Sequence, residues 1–195
     1  SNSTLHSMYI SGEEANPPID AYAEAITSAL LAGNFDPDKL PMLVLETGRS
    51  LIDSAGYAIT TVAGNKRLAN GTRSIIIDAG VNILFTSFWY KHNIYPVEEK
   101  SGLFEETIVY GPLCMNIDVI QPSLRLPSLV AGDLLVIAPV GAYNVTQWLQ
   151  FIRMRPGVVL IGMKGEIEEI RLPETVDFIK TPERTPEWIK RKNAL

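Results

Sequence analysis

Three short segments carry residues whose types and spacing could do chemistry. The first is Leu45-Glu46-Thr47-Gly48-Arg49, a carboxylate at the end of an apolar run followed by glycine and arginine. Ends of buried parallel strands are where α/β folds keep their sites. A glycine lets backbone N–H groups approach a phosphate, and an arginine can grip one with two parallel hydrogen bonds. The same residues also describe a strand end closed by a structural Glu–Arg pair. The second segment is Gly111-Pro112-Leu113-Cys114-Met115-Asn116-Ile117-Asp118, a Gly-Pro turn that delivers the only thiol into a short, mostly apolar stretch. A lone cysteine is either a small core residue or a reactive group. The third is Gly141-Ala142-Tyr143, where a phenol either reaches a phosphate or packs as an ordinary aromatic.

The elements that must position these residues change character along the chain. From Asp20 to Ala32, Tyr22, Ile26, Ala29 and Leu30 recur at helical spacing, with Pro17 and Pro18 before and Gly33 after, so one amphipathic helix is expected. The run from Pro41 to Gly48 is continuously apolar and ends in a turn, which predicts a strand buried on both faces as in a parallel sheet. Helix then buried strand is the tail of a β/α repeat. Beyond Leu51 the pattern is β-branched runs between turn residues: Tyr57 to Val62, Ser74 to Ile77, Glu106 to Tyr110, Leu134 to Ile137, Val158 to Ile161 and Glu166 to Arg171. Asn70-Gly71 and Lys164-Gly165 fall where tight connections are expected. An antiparallel barrel or sandwich follows. The ending TPERTPEWIKRKNAL, Pro-interrupted and charged, predicts a surface helix or loose tail.

Bulk properties exclude several functional classes. A chain of 195 residues, 46% hydrophobic and 20% charged, can bury a core of one or two domains. Its net charge of −5, with no long run of lysine and arginine, argues against nucleic acid. The most apolar stretches are broken by Asp133, Pro139 and Gly157, so no membrane span is expected. The single cysteine fits a reducing, cytoplasmic compartment. The start, SNSTLHSMY, has neither an initiator methionine nor a signal pattern, which predicts that the chain begins inside a longer protein.

In their order along the chain the motifs resemble one family. LETGRSLIDSAG is similar to the EPGR segment of diaminopimelate and ornithine decarboxylases, IDAGVN to their DAGMN, GPLCMNID to their GPxC, and GDLLVIAPVGAY to their GDxxxxxxxGAY. The resemblance implies pyridoxal 5'-phosphate as cofactor and the alanine-racemase-like architecture of that family. The expected fold is mainly β, of the α+β kind, with a C-terminal antiparallel β-barrel domain preceded by the last helix and strand of a TIM-type barrel. The expected boundaries are 1–48 for the barrel remnant, 49–180 for the β-barrel decarboxylase domain and 181–195 for the charged tail.

It also implies roles for individual residues. Glu46 matches the carboxylate that pairs with the pyridine nitrogen and keeps the ring an electron sink. Gly48 and Arg49 match the phosphate-binding turn, and Tyr143 matches a tyrosine that reaches the phosphate. Cys114 matches a thiol that enters the neighbouring subunit's site as proton donor, so a homodimer with a shared active site is implied. Tyr90, Met115 and Asn116 fall at substrate-facing positions. The substrate would be a small amino acid or a conjugated one.

The departures from the family pattern are equally specific. The lysine that forms the cofactor's Schiff base has no counterpart here, because none of Lys39, Lys66, Lys91, Lys100 or Lys164 sits in its context, so the chain alone is expected to be inactive. Thr47 stands where the family has proline. Met115 stands where diaminopimelate decarboxylases have a glutamate for the distal amino group, and Thr86 where they have an arginine for the distal carboxylate, which predicts another substrate. The alternatives are a racemase of the same fold type and a non-catalytic dimerisation or regulatory module. His6 and His92 lack partners at metal-ligand spacing, so no metal site is expected. Trp89 and Trp148 are expected to pack, and Asp78 to bond its own turn. Glu13-Glu14, Glu98-Glu99 and Glu105-Glu106 read as solvated faces.

Overall fold

The computed structural model describes residues 17–33 and 35–190. Helix α1, Ile19–Ala32, follows Pro18 and stops at Gly33, whose N–H bonds the Leu30 carbonyl. None of its residues is buried, and Leu31 is 80% exposed. The segment from Leu40 to Gly48 differs from the expected strand. It joins no sheet, and Leu40, Met42, Leu43, Val44 and Leu45 are all exposed. A strand of a parallel sheet needs hydrogen-bonding neighbours and covering helices, and the described residues supply neither here.

From residue 58 the chain is mostly β. Strands β1 (Ala58–Arg67), β2 (Arg73–Ile77), β3 (Asn93–Pro96), β4 (Glu105–Tyr110), β5 (Val119–Leu126) and β6 (Leu134–Ala138) form one sheet in the order β3-β6-β1-β2-β4-β5. All pairs are antiparallel except β2 with β4. The first half of β1 pairs with β6 and the second half with β2, and the ladder shifts between Val62 and Gly64. A bulge there bends the strand, so the sheet curls into a half-barrel. Strands β7 (Val158–Ile161) and β8 (Ile167–Arg171) make a separate hairpin. Short helices α2 (Val176–Lys180) and α3 (Glu187–Lys190) follow.

Period-2 alternation fills the concave face. In β6, Leu135 and Ile137 are fully buried while Leu134 is exposed. Val62, Ile75, Ile77, Leu84, Val109, Ile120 and Leu126 complete the centre of the core. Both anticipated turns form, with Gly71 and Gly165 at positive φ, a backbone region open to glycine without steric cost.

One inter-segment contact outside the ladders ties the turn at Asp53 to the segment Val140-Gly141-Ala142. The N–H groups of Gly141 and Val140 bond the carbonyls of Asp53 and Gly56, both at 2.9 Å, and Ala142 N–H bonds the Asp53 carboxylate at 3.2 Å. The chains approach so closely that a Cβ on Gly141 would overlap the carbonyl oxygen of Ile52. Backbone cannot yield as a side-chain tip can. Gly141→Ala is therefore expected to lower unfolding free energy by about 3 kcal/mol or more, read as a shift of the urea midpoint at unchanged slope.

Candidate functional site

Gly48 and Arg49 open a short 3-10 turn, Arg49–Leu51. The Arg49 Nε lies 3.3 Å from Asp53 Oδ2, and the guanidinium carbon sits 3.9 Å from the centre of the Tyr90 ring. An ion pair on one edge and an aromatic face beneath fix the plane of the guanidinium, leaving its other donors for an anion. The Arg49 side chain is 43% exposed, so a ligand can reach it.

Tyr143 completes the cluster from the other side of the Asp53 contact. It adopts φ 64°, a left-handed conformation that costs a non-glycine residue about 1 kcal/mol or more. Its ring meets Trp89 edge-on at 6.1 Å, and Trp89 meets Phe85 at 5.4 Å. A Cβ at Gly48 would lie 2.5 Å from the Tyr143 hydroxyl oxygen. The structure thus brings Gly48, Arg49, Tyr90 and Tyr143 together from three segments of the chain. A bare backbone, a planar cation and a half-exposed phenol form a cradle that suits a phosphate.

Tyr90 is the buried floor of this cluster. Burial pushes its phenol up, and neighbouring Thr86 and Arg49 offset only part of that. Its hydroxyl has no hydrogen-bond partner among the described residues. Thr86, the position matched to the family's distal-carboxylate arginine, is fully buried and faces inward. Its N–H and hydroxyl lie 3.2 and 2.8 Å from Asn144 Oδ1, and its Oγ1 lies 2.9 Å from His92 Nε2.

The thiol segment is held from below. Gly111 bonds the Asp118 carbonyl at 3.0 Å, and the buried Asp118 carboxylate accepts N–H bonds from Leu113 at 2.6 Å and Val81 at 2.8 Å. Burial raises the Asp118 pKa, and these two bonds pull it back. One carboxylate therefore ties GPLCMNID to IDAGVN, while Cys114, Met115 and Asn116 stand exposed at the tip. Cys114 is not the core filler that its residue type suggests.

Other sequence candidates have structural roles or stand apart. Glu46 lies on the exposed 40–48 segment and makes no hydrogen bond or ion pair with the cluster among the described residues. Asp78 bonds the neighbouring strand, at Thr60 Oγ1 and Thr61 N–H, instead of its own turn. Trp148 packs as expected and donates to the Ile83 carbonyl at 3.0 Å. Glu105 is not merely solvated, since it pairs with Arg67 through both carboxylate oxygens. His6 and Glu13-Glu14 lie outside the described residues. Sequence reasoning missed Asp53, whose only signal was its i+4 spacing from Arg49, and the buried polar chain that links His92 and Thr86 to Asn144.

The chain is similar to known proteins in both sequence and fold. The family described as the pyridoxal-dependent decarboxylase, C-terminal sheet domain, matches residues 35–141. Diaminopimelate decarboxylase of Methanocaldococcus jannaschii is 34% identical over 146 residues, covering 73% of this chain and 33% of its own length. That of Archaeoglobus fulgidus is 30% identical over 183 residues, covering 91% and 42%. The crystal structure of the M. jannaschii enzyme superposes with a TM-score of 0.79 at 31% identity, covering 88% of this chain and 39% of that one. The chain spans about a third to two fifths of the length of these curated relatives.

The Gly48–Tyr143 contact generates a direct expectation. In Gly48→Ala the methyl meets the free end of a side chain, not backbone, so stability should change by no more than about 0.5 kcal/mol. The Tyr143 ring should nevertheless move, visible as displaced aromatic proton resonances of Tyr143 and Trp89. Unmoved resonances would contradict the contact.

Proposed function

This chain belongs to the pyridoxal-dependent decarboxylase family through its C-terminal sheet domain, and on that premise we propose that it forms part of an amino-acid decarboxylase whose cofactor phosphate it helps to hold. The observation that carries the reading is the convergence of Gly48, Arg49 and Tyr143. Gly48 offers backbone with no Cβ in the way, Arg49 offers a cation pre-oriented by Asp53 and Tyr90, and Tyr143 offers a phenolic donor. Pyridoxal phosphate, when bound, supplies an electron sink for the bond that breaks as carbon dioxide leaves.

In this reading each residue has a bounded task. Glu46 would face the pyridine nitrogen of the bound cofactor and hold a proton there. The Cys114 thiol, exposed on a loop braced by Asp118, delivers a proton from Sγ in the site of the other copy of a homodimer. The proposed division is 1–48 as the end of a barrel, 49–180 as the sheet domain and 181–195 as a surface tail, of which residues 1–16, 34 and 191–195 lie outside the described residues. The exposed apolar side chains of α1 and of residues 40–45 support this division, because such surfaces are normally covered. No lysine of this chain stands in the family's cofactor context, so the cofactor-bearing lysine is assigned to the rest of the enzyme and the chain alone to inactivity. The cytoplasm is the proposed location.

The substrate is proposed to lack a charged amino-acid head at its distal end. Met115 offers no carboxylate to an ammonium, and Thr86 is engaged inside the core. Each forfeited charge-assisted hydrogen bond is worth about 1.5–3 kcal/mol. Asn116 remains as a partner for a neutral amide or hydroxyl, while the hydroxyl of Tyr90, the other residue at a substrate-facing position of the family, is buried.

The test is carbon dioxide release by the full-length protein offered diaminopimelate, ornithine, lysine and conjugated glutamyl substrates in competition. No release from any amino acid would refute the decarboxylase reading, and preference for diaminopimelate would refute the substrate assignment alone. In the same enzyme, Cys114→Ala should lower kcat by about 100-fold or more with little change in KM. Arg49→Ala should instead release cofactor on dialysis, because a phosphate clamp acts in the ground state.

A further inference from the structure

Beneath the Tyr143 turn runs a chain of buried polar groups whose protons can be counted. His92 is 1% exposed, and its Nδ1 lies 2.7 Å from the Pro139 carbonyl. A carbonyl only accepts, so Nδ1 carries a proton. At the other end, Asn144 Nδ2 donates to the carbonyls of Val140 at 3.1 Å and Ala142 at 3.4 Å, while Oδ1 accepts the Thr86 N–H at 3.2 Å. These contacts fix the orientation of the amide. Between the two stands the Thr86 hydroxyl, 2.9 Å from His92 Nε2 and 2.8 Å from Asn144 Oδ1, with one proton to give.

That single proton cannot serve both neighbours when His92 is neutral. If Thr86 donates to Nε2, its oxygen faces Asn144 Oδ1 lone pair to lone pair, with all three side chains buried. If it donates to Asn144, Nε2 is left without a donor. An imidazolium removes the conflict: Nε2–H donates to Thr86, Thr86 donates to Asn144, and every group is satisfied. Asn144 brackets Tyr143, because its amide bonds the carbonyls on the preceding turn and its backbone follows the residue held at positive φ.

We propose that His92 is a proton-responsive positioning residue for Tyr143, with the Thr86 hydroxyl as the rotor that reports the charge of the ring to Asn144. With His92 neutral, the Thr86 proton points to Nε2 and Asn144 Oδ1 keeps only the backbone N–H. When Nε2 takes a proton from solvent, Thr86 turns its own proton to Asn144 and the turn carrying Tyr143 is clamped. The inference rests on the proposed function only in reading the Tyr143 hydroxyl as a phosphate ligand.

The titratable groups around His92 are few. Burial lowers its pKa, the hydrogen bond to Pro139 and the Asp53 carboxylate raise it, and the Arg49 guanidinium opposes them. The Tyr90 ring meets it edge-on at 4.8 Å. Burial being the largest of these effects, the switch lies below the ordinary imidazole range. The sign for stability follows: within that window the unfolded chain binds more protons than the folded one, so stability falls as pH drops from the usual imidazole value to the lower one.

The experiment is a pH titration of the nitrogen-labelled chain by NMR, following the His92 ring nitrogens, the Asn144 carboxamide and the Tyr143 ring. Near neutral pH, Nδ1 should be protonated and Nε2 bare. On acidification the Asn144 and Tyr143 resonances should shift with the His92 midpoint. Thr86→Ser should keep that coupling, and Thr86→Val should lose it. Asn144 resonances that stay fixed while His92 titrates would overturn the proposal, as would coupling that survives Thr86→Val. If Thr86→Val does not fold, the common midpoint in the unaltered chain and in Thr86→Ser decides. No arm uses cofactor or substrate, so the result is separate from the decarboxylase assay.

Discussion

The carboxylate of Asp53 is the contact on which the site depends. One oxygen accepts the Ala142 N–H and the other faces Arg49 Nε, while the residue's own carbonyl takes the Gly141 N–H. A nearly buried anion with a cation on one side and a backbone donor on the other is well compensated, whereas loss of either partner would strand it. Arg49 and Tyr143 are distant in sequence but share this bracket. The half-barrel supplies a rigid floor, and Asp53 determines which residues meet on it.

A second buried carboxylate works in the same way at the other end of the site. Asp118 draws two backbone N–H groups from separate motifs toward one point, and the loop between Leu113 and Asp118 projects Cys114 outward. Neither aspartate touches a ligand in the proposed chemistry. Both convert sequence motifs that look like loops into fixed surfaces, and mutational effects at either would reach the reactive groups through backbone position.

Much of the fold was legible because burial imposes period 2. The six strands anticipated beyond Leu51 all form, and Asn70-Gly71 and Lys164-Gly165 turn where expected. Two strands were missed for physical reasons. Strand β5 contains Pro122, which argues against a central strand, but β5 is an edge paired only with β4 and tolerates it. Strand β3 is four residues long, too short to show alternation. The run from Pro41 to Gly48 misled because apolarity signals that a segment will be covered, not what covers it. At the site, Gly48, Arg49 and Tyr143 were readable one at a time. Their meeting, and the chain from His92 to Asn144, were not, since buried polar contacts between distant segments leave no periodic trace.

The parallel pairing of β2 with β4 has a kinetic consequence. Neighbouring antiparallel strands are joined by a tight turn, but a parallel pair requires the chain to leave one end of the sheet and return to the other. Here the return path runs from Asp78 to Phe104 and carries Asn82, Tyr90 and His92. Closing such a path costs more entropy than closing the β1–β2 hairpin, and the cost falls before the pairing can reward it. The hairpin is therefore expected to form early and the crossover late, so Asn82, Tyr90 and His92 would be among the last residues to reach their places during synthesis.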